Sequence, residues 1–259
     1  MADRLSGRTI LVTGAASGIG AGIAEGLAAE GGAVVLADLD LNAAKVVADR
    51  IISKGGRALA VQVDVTDRDQ VRRGIDAAVA EFGALHVYFN NAGMNQPENF
   101  LEITEPVWNR IMKVNAFGVV IGTQEAAQQF LRQGTPGKIV NTASIAGRTG
   151  FPSFAPYSAS KAAVISLTQA AARSLAADKI TVNAFAPGVV ATPLWAKLDQ
   201  DLADIGHAEA GFDSMASDIL LGRPAQPSDI VPTAIFLAAA DSDYITGQVI
   251  PIEGGMILV

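Results

Sequence analysis

Apolar and polar positions fall in alternating blocks along the chain. Short, nearly continuous runs of Val, Ile, Leu and Ala are separated by longer stretches in which apolar residues recur every three or four positions. The runs predict strands over residues 9–13, 33–38, 58–64, 87–91, 138–143, 181–186 and 248–252. The stretches between them predict helices over 18–30, 41–54, 68–82, 106–132, 155–177 and 227–239. Strands that are apolar on both sides are covered on both faces, so the pattern implies an α/β, doubly wound sheet of seven mainly parallel strands with helices on each side. One break interrupts the rhythm, between 187 and 224, where strand-to-helix loops ordinarily take about two to six residues. A substrate-loop insertion at about 193–222, acting as a lid, is expected there.

The first turn adds chemistry to this pattern. After the first strand the chain reads Thr13-Gly14-Ala15-Ala16-Ser17-Gly18-Ile19-Gly20, with a helix starting inside the motif. Gly14 suits a tight turn, Gly18 a close approach of backbone to pyrophosphate, and Gly20 the packing of helix on strand, while the helix N-terminus offers free N–H groups. Gly14, Ser17, Gly18, Ile19 and Gly20 are therefore expected cofactor contacts in a Rossmann-like fold. Asp38 ends the second strand about 20 residues later, where a carboxylate accepts hydrogen bonds from the adenosine ribose. It would repel the phosphate of NADP, and Ala15, Ala16 and Leu39 supply no compensating cation, so NAD is the expected cofactor. A plain structural cap is the alternative for Asp38.

Tyr157 and Lys161 stand four apart on a predicted helix and share a face. A phenol ionises near pH 10, and a nearby ammonium together with a positive nicotinamide ring would favour the phenolate, making a general base. Ser144, just past the fifth strand, can hydrogen-bond the same substrate oxygen or simply cap the following turn.

Taken together, Thr13 to Gly20, Asp64-Val65, Asn90-Asn91-Ala92-Gly93, Asn115, Ser144, Tyr157-Ser158-Ala159-Ser160-Lys161 and Pro187-Gly188 through Thr192 resemble the short-chain dehydrogenase/reductase family, in its order and spacing over essentially the whole chain. The resemblance implies that Ser144 orients the reacting oxygen, Tyr157 exchanges the proton, and Lys161 holds the nicotinamide ribose. Asn115 is implied as a helix kink whose carbonyl holds a water. Asp64 and Val65 are implied to meet the adenine, Asn91, Ala92 and Gly93 to pass the adenosine ribose, and Pro187, Gly188, Val190 and Thr192 to cover the nicotinamide carboxamide. Two departures concern packing: His86 replaces a frequent aspartate before Asn90, and Glu253-Gly254-Gly255 replaces Asp-Gly-Gly. Short matches at 192–196, 241–248 and 254–256 look most like the family's 2,3-butanediol (acetoin) and sorbitol-type polyol dehydrogenases. Asn95 and Gln96 are candidates for a second substrate hydroxyl, and Ile145, Phe151, Leu194 and Trp195 for apolar walls.

Composition narrows the alternatives. With 259 residues, 50% of them hydrophobic, the chain makes one catalytic domain over 1–259. A net charge of -7 disfavours nucleic acid and anionic membranes as partners. The absence of cysteine removes thiolate nucleophiles and cysteine-bound zinc and fits a reducing, cytoplasmic setting. Two histidines and no Gly-x-Ser-x-Gly leave little for a hydrolase triad, and the acidic run Asp199, Asp201, Asp204 reads as a solvated helix face rather than a metal loop. Two rivals stand beside an alcohol dehydrogenase: a reductase of 3-oxoacyl thioesters, which would want NADPH and a basic approach, and a catalytically silent NAD-binding regulator. A small alcohol or ketone is the expected partner, and the resemblance implies a homotetramer, with the long helices holding Asn115 and Tyr157 making subunit contacts and the apolar tail 256–259 a further reason to expect burial.

Overall fold

A computed structural model describes residues 3–258. Its sheet has the order β3-β2-β1-β4-β5-β6-β7, and every neighbouring pair is parallel, beyond the mainly parallel sheet expected. The strands are β1 (Thr9–Thr13), β2 (Ala33–Asp38), β3 (Arg57–Gln62), β4 (Val87–Asn90), β5 (Gly137–Thr142), β6 (Ile180–Pro187) and β7 (Val249–Ile252). Their side chains alternate between two cores. Ile10, Val12, Val34, Leu36 and Phe89 pack with α1 (Gly18–Ala29), α2 (Leu41–Ser53) and α9 (Pro227–Ala238). Leu11, Val35, Tyr88 and Ile139 pack on the opposite face with α3 (Arg68–Phe82), α5 (Gly118–Gln133) and α6 (Ala155–Leu175).

Local sequence sets the ends of these elements. Asp40 and Asp67 cap α2 and α3 by accepting backbone N–H groups of Ala43 (3.0 Å) and Asp69 (2.9 Å), and Gly83 closes α3 in the left-handed conformation at φ 88°. The expected single helix over 106–132 is divided. It runs as α4 (Glu105–Met112), a π-helical turn (Lys113–Phe117) holding Asn115, and α5. The expected third strand overshoots, because Val63 continues the apolar pattern after the ladder has ended and packs into the second core. Between β6 and α9 the insertion forms α7 (Leu194–Asp204) and α8 (Phe212–Ser217).

Strand order reverses on either side of β1, whose neighbours are β2 and β4. Ligands of open α/β sheets bind outside the carboxyl ends of the strands at such a switch point. Among the described residues no helix is long and apolar enough to cross a membrane.

Candidate active site

The turn after β1 has positive φ at Gly14 (65°) and Gly18 (53°), where side chains are disfavoured. A Cβ on Gly20 would lie 2.0 Å from the Gly14 carbonyl oxygen, so only glycine lets α1 start this close to β1. Thr13 ties the turn to β4: its hydroxyl donates to the Phe89 carbonyl (3.0 Å) and accepts from the N–H groups of Asn91 (2.9 Å) and Ala92 (3.0 Å). Asn91 answers by donating through Nδ2 to the Thr13 carbonyl (2.9 Å). Ser17, at the N-cap of α1, is exposed and its hydroxyl makes no capping bond, and the first turn of α1 carries no acidic side chain.

Asp38 is half-buried at the end of β2. Its Oδ2 accepts the N–H of Ala16 in the glycine turn (2.9 Å) and its Oδ1 accepts the N–H of Asp40 (3.1 Å). The carboxylate thus holds the turn, as the structural reading expected, and keeps spare lone pairs beside it. Beyond β3, Asp64 accepts the N–H of Thr66 (2.8 Å), and Val65 packs where a Cβ on Gly118 would meet it at 3.1 Å. After β6, Gly188 donates its N–H to Ile252 (3.0 Å) and Val190 bridges Ala225, which brings the Thr192 methyl to 3.3 Å from the Cβ position of Gly18. Ile19 lies half-buried at the inner end of this strip. A free capping hydroxyl, an uncharged first turn and glycines at the close approaches fit a dinucleotide laid from Asp38 toward Thr192.

The catalytic candidates come together at the carboxyl ends of β4 and β5. Lys161 is buried, donates to the Thr142 carbonyl (2.7 Å) and lies 5.6 Å from the centre of the Tyr157 ring, both residues being on α6. Ser144 follows β5, and its hydroxyl accepts the Ala146 N–H (3.1 Å) while keeping its own proton to donate. A Cβ on Gly147 would sit 2.6 Å from the backbone carbon of Lys161, so this glycine lets the Ser144 turn lie against α6. Asn115 is fully buried. Its Oδ1 accepts the Met94 N–H (2.8 Å), and its Nδ2 donates to the Met94 carbonyl (2.8 Å) and to Ser160 Oγ (3.0 Å), which itself donates to the Tyr157 carbonyl (2.7 Å).

Burial alone moves both titrating groups toward their neutral forms. It lowers the Lys161 ammonium to about 8. It pushes the Tyr157 phenol above its ordinary value, with the Ser144 hydroxyl opposing the shift. Lys161 donates to the Thr142 carbonyl rather than to the phenol, so the bias toward phenolate expected from the sequence would fall to the nicotinamide ring together with the ammonium.

A family model described as enoyl-(acyl carrier protein) reductase matches residues 14–257. The chain belongs to the short-chain dehydrogenase/reductase family. It is similar to a diacetyl reductase [(S)-acetoin forming] of Staphylococcus epidermidis, 41% identical over 96% of this chain and 98% of that one. It is likewise similar to the L-2,3-butanediol dehydrogenase of Corynebacterium glutamicum, at 43% over 96% and 98%. Among solved structures, a short-chain type dehydrogenase/reductase from Mycobacterium marinum superimposes with TM-score 0.89 at 36% identity, covering 100% of this chain and 98% of that one. A putative NAD(P) dependent gluconate 5-dehydrogenase from Beutenbergia cavernae, with bound NADP at low occupancy, gives 0.87 at 35%, covering 99% of each. This short-chain dehydrogenase is accordingly an oxidoreductase of secondary alcohols and ketones.

In this short-chain dehydrogenase a cavity of about 120 Å³ opens beside Tyr157 and Ser144. Ile19, Pro187, Gly188 and Thr192 border it toward the dinucleotide strip, and Ile145, Phe151, Phe154, Trp195, Leu198 and Met215 border it elsewhere. Of the two polar candidates near the Asn-Asn-Ala-Gly motif, Asn95 lines the cavity and Gln96 does not: Gln96 is held by Glu98 (2.5 Å) and Arg110. A larger cleft of about 640 Å³ lies at the amino ends of the strands, among Arg8, His86 and Lys138, but it contains none of the catalytic candidates. His86 accepts the Thr9 N–H there (2.9 Å), and burial lowers its pKa. Glu253 accepts the Ile257 N–H (3.0 Å), turning the chain end back on itself. Sequence reasoning missed the structural duties of Thr13, Thr142 and Ser160. Ser160 lay inside the Tyr157–Lys161 segment, so its neighbourhood was a signal, whereas the Thr142 contribution is a backbone carbonyl and leaves none.

Proposed function

We propose that the protein interconverts a small vicinal diol and its α-hydroxyketone with NAD as the hydride carrier. The cavity wall carries this reading. A hexitol would bring many hydroxyls against Ile145, Phe151, Phe154 and Leu198, which offer no side-chain partners, with only the Trp195 indole N–H to donate, and unpaired buried polar groups are strongly disfavoured. A four-carbon diol presents one extra hydroxyl and apolar methyls. The named activities of the Staphylococcus epidermidis and Corynebacterium glutamicum relatives point the same way.

In this reading Ser144 donates to the reacting oxygen and Tyr157 takes or returns its proton. Lys161 holds the ribose and contributes positive charge, while Asn115 braces the Met94 backbone and the turn of α6 beneath the site. Bound nicotinamide supplies the hydride acceptor and, when oxidised, a positive ring beside the phenol. The chain contributes alignment and charge. Gly14, Ser17, Gly18, Ile19 and Gly20 would hold pyrophosphate, Asp38 the adenosine ribose, Asp64 and Val65 the adenine, Asn91, Ala92 and Gly93 the flank of that ribose, and Pro187, Gly188, Val190 and Thr192 the carboxamide.

The Beutenbergia cavernae structure, of an NAD(P) dependent protein, holds NADP at low occupancy. Here Asp38, with Asp40 two residues on and no basic side chain at positions 15, 16 or 39, favours NAD. A homotetramer in the cytoplasm completes the proposal.

Nicotinamide absorbance on mixing enzyme, NAD or NADP, and a panel of 2,3-butanediol stereoisomers, acetoin, sorbitol and an acetoacetyl thioester tests it. NAD with butanediol or acetoin is expected to lead, with kcat/KM at least about 10²-fold above NADP. Tyr157→Phe is expected to lower turnover by about 10² or more. Equal use of NADP, a thioester or sorbitol as best substrate, or a fully active Tyr157→Phe, would overturn the reading.

A further inference from the structure

The polar side chains around the cavity can be assigned one at a time. Ser144 and Tyr157 address the reacting oxygen. Thr142 donates its hydroxyl to Asn91 Oδ1 (3.2 Å), and Thr192 lies against the glycine turn. Trp195 adds an indole N–H donor, and Asn95 is the acceptor left without an assignment. It lines the cavity, is only 7% exposed, and its Oδ1 is buried with no hydrogen-bond partner among the described residues. Buried amide oxygens are nearly always paired, so an orphan beside a catalytic cavity marks a place where a ligand completes the bonding.

The surrounding backbone holds this amide in position. Asn115 clamps both polar atoms of Met94, at 2.8 Å each, and the Glu98 N–H donates to the Ser153 carbonyl (3.0 Å). Asn95 sits between these two anchors, on a loop that has little freedom to retract. Beyond Asn95 the far wall is largely apolar, its other polar group being the Trp195 indole N–H, a donor only, so Asn95 is the one amide acceptor that wall offers to a substrate hydroxyl.

We infer that Asn95 is a specificity-determining residue whose Oδ1 accepts a hydrogen bond from the hydroxyl on the carbon next to the one oxidised. The enzyme thereby selects vicinal diols and α-hydroxyketones over simple secondary alcohols. A monoalcohol of the same length leaves the amide unpaired, and sites built to bond a substrate hydroxyl discriminate strongly against analogues lacking it. The inference rests on the diol reading above.

The test compares kcat/KM for 2,3-butanediol and 2-butanol in the wild-type enzyme, Asn95→Leu and Asn95→Ala, alongside thermal midpoints without ligand. The wild type is expected to prefer the diol by about 10²-fold or more, and each variant to lose at least tenfold of that ratio. Because Oδ1 is unpaired in the free protein, Asn95→Leu is expected to keep the midpoint, whereas a structural asparagine would lower it. A ratio preserved within twofold, or a fall in both activities together with the midpoint, overturns the assignment of Asn95. A wild type that oxidises neither alcohol, or that shows no diol preference, instead sinks the diol reading itself.

Discussion

Lys161 is asked to stay cationic in a place that disfavours charge. It is 4% exposed, has one carbonyl partner in Thr142, and burial brings its pKa from the ordinary lysine range to about 8. The consequence for stability has a definite sign. Below pH 8 both folded and unfolded chains carry the proton and the full cost of burying it is present. Between about 8 and 10.5 the unfolded chain binds more protons than the folded one, so this residue's contribution improves as pH rises, by about 3 kcal/mol across the window. Lys161→Met removes the titration while keeping the length. The midpoint of the wild type minus that of Lys161→Met is expected to climb between pH 7.5 and 9.5, a subtraction that cancels the other titrating groups. A flat difference would mean that Lys161 is not desolvated. The pairing of Tyr157 with Lys161 was legible because helical spacing is a property of sequence. The protonated state of Tyr157 was not, since it depends on burial contributed by residues far along the chain.

At the scale of elements, α7 and α8 form a cover held by a few contacts. Trp195 meets Phe212 edge to face at 5.4 Å, Asp199 accepts the Phe212 N–H (2.8 Å), and His207 Nε2 pairs with Asn99 Oδ1 (3.0 Å), four residues beyond Asn95. Gly206 and Gly222 carry φ of 84° and 70°, suiting them to absorb backbone rotation at either side of α8. Lys197, exposed on α7, is a tryptic site within this cover. Cleavage at Lys197 is expected to slow several-fold when NAD and a diol are both present; equal rates in both states would identify a static insertion. The length of the break between 187 and 224 made the insertion legible. Inside it, the acidic run Asp199, Asp201, Asp204 pointed to a helix, which is α7, whereas the six residues of α8 are too few to set a period. The π-helical turn at Asn115 was hidden for a related reason: one extra residue per turn scarcely disturbs the apolar spacing of 106–132, and only the family resemblance pointed to a kink there.

For the whole molecule, exposed apolar side chains are spread over the surface, Leu39, Leu101 and Tyr244 among them, and two sets of them bear on assembly. Leu220 (71% exposed) and Leu221 (75%) lie against the chain end, where Leu221 donates its N–H to the Gly254 carbonyl (3.0 Å) and a Cβ on Gly255 would touch Leu220 at 3.0 Å, and Leu258 (79%) belongs to the same chain end. Trp108 and Phe117, 39% and 51% exposed, stand on α4 and the π-helical turn. Patches of this kind are poorly placed in water unless another surface covers them. If the chain-end leucines and Phe117 each seed a contact with their own copy around a twofold axis, two independent axes generate a closed tetramer of dihedral symmetry. The apolar ending reaches Val259, which lies outside the described residues, so the argument rests on Leu258 and its neighbours. Light scattering at micromolar concentration is expected to give four times the chain mass. Leu221→Glu and Phe117→Glu place a charge in one patch each, so each alone is expected to give a dimer, and the two together a monomer. A wild-type monomer would show that both patches are ordinary surface, and a dimer unaffected by either change would place the contact elsewhere.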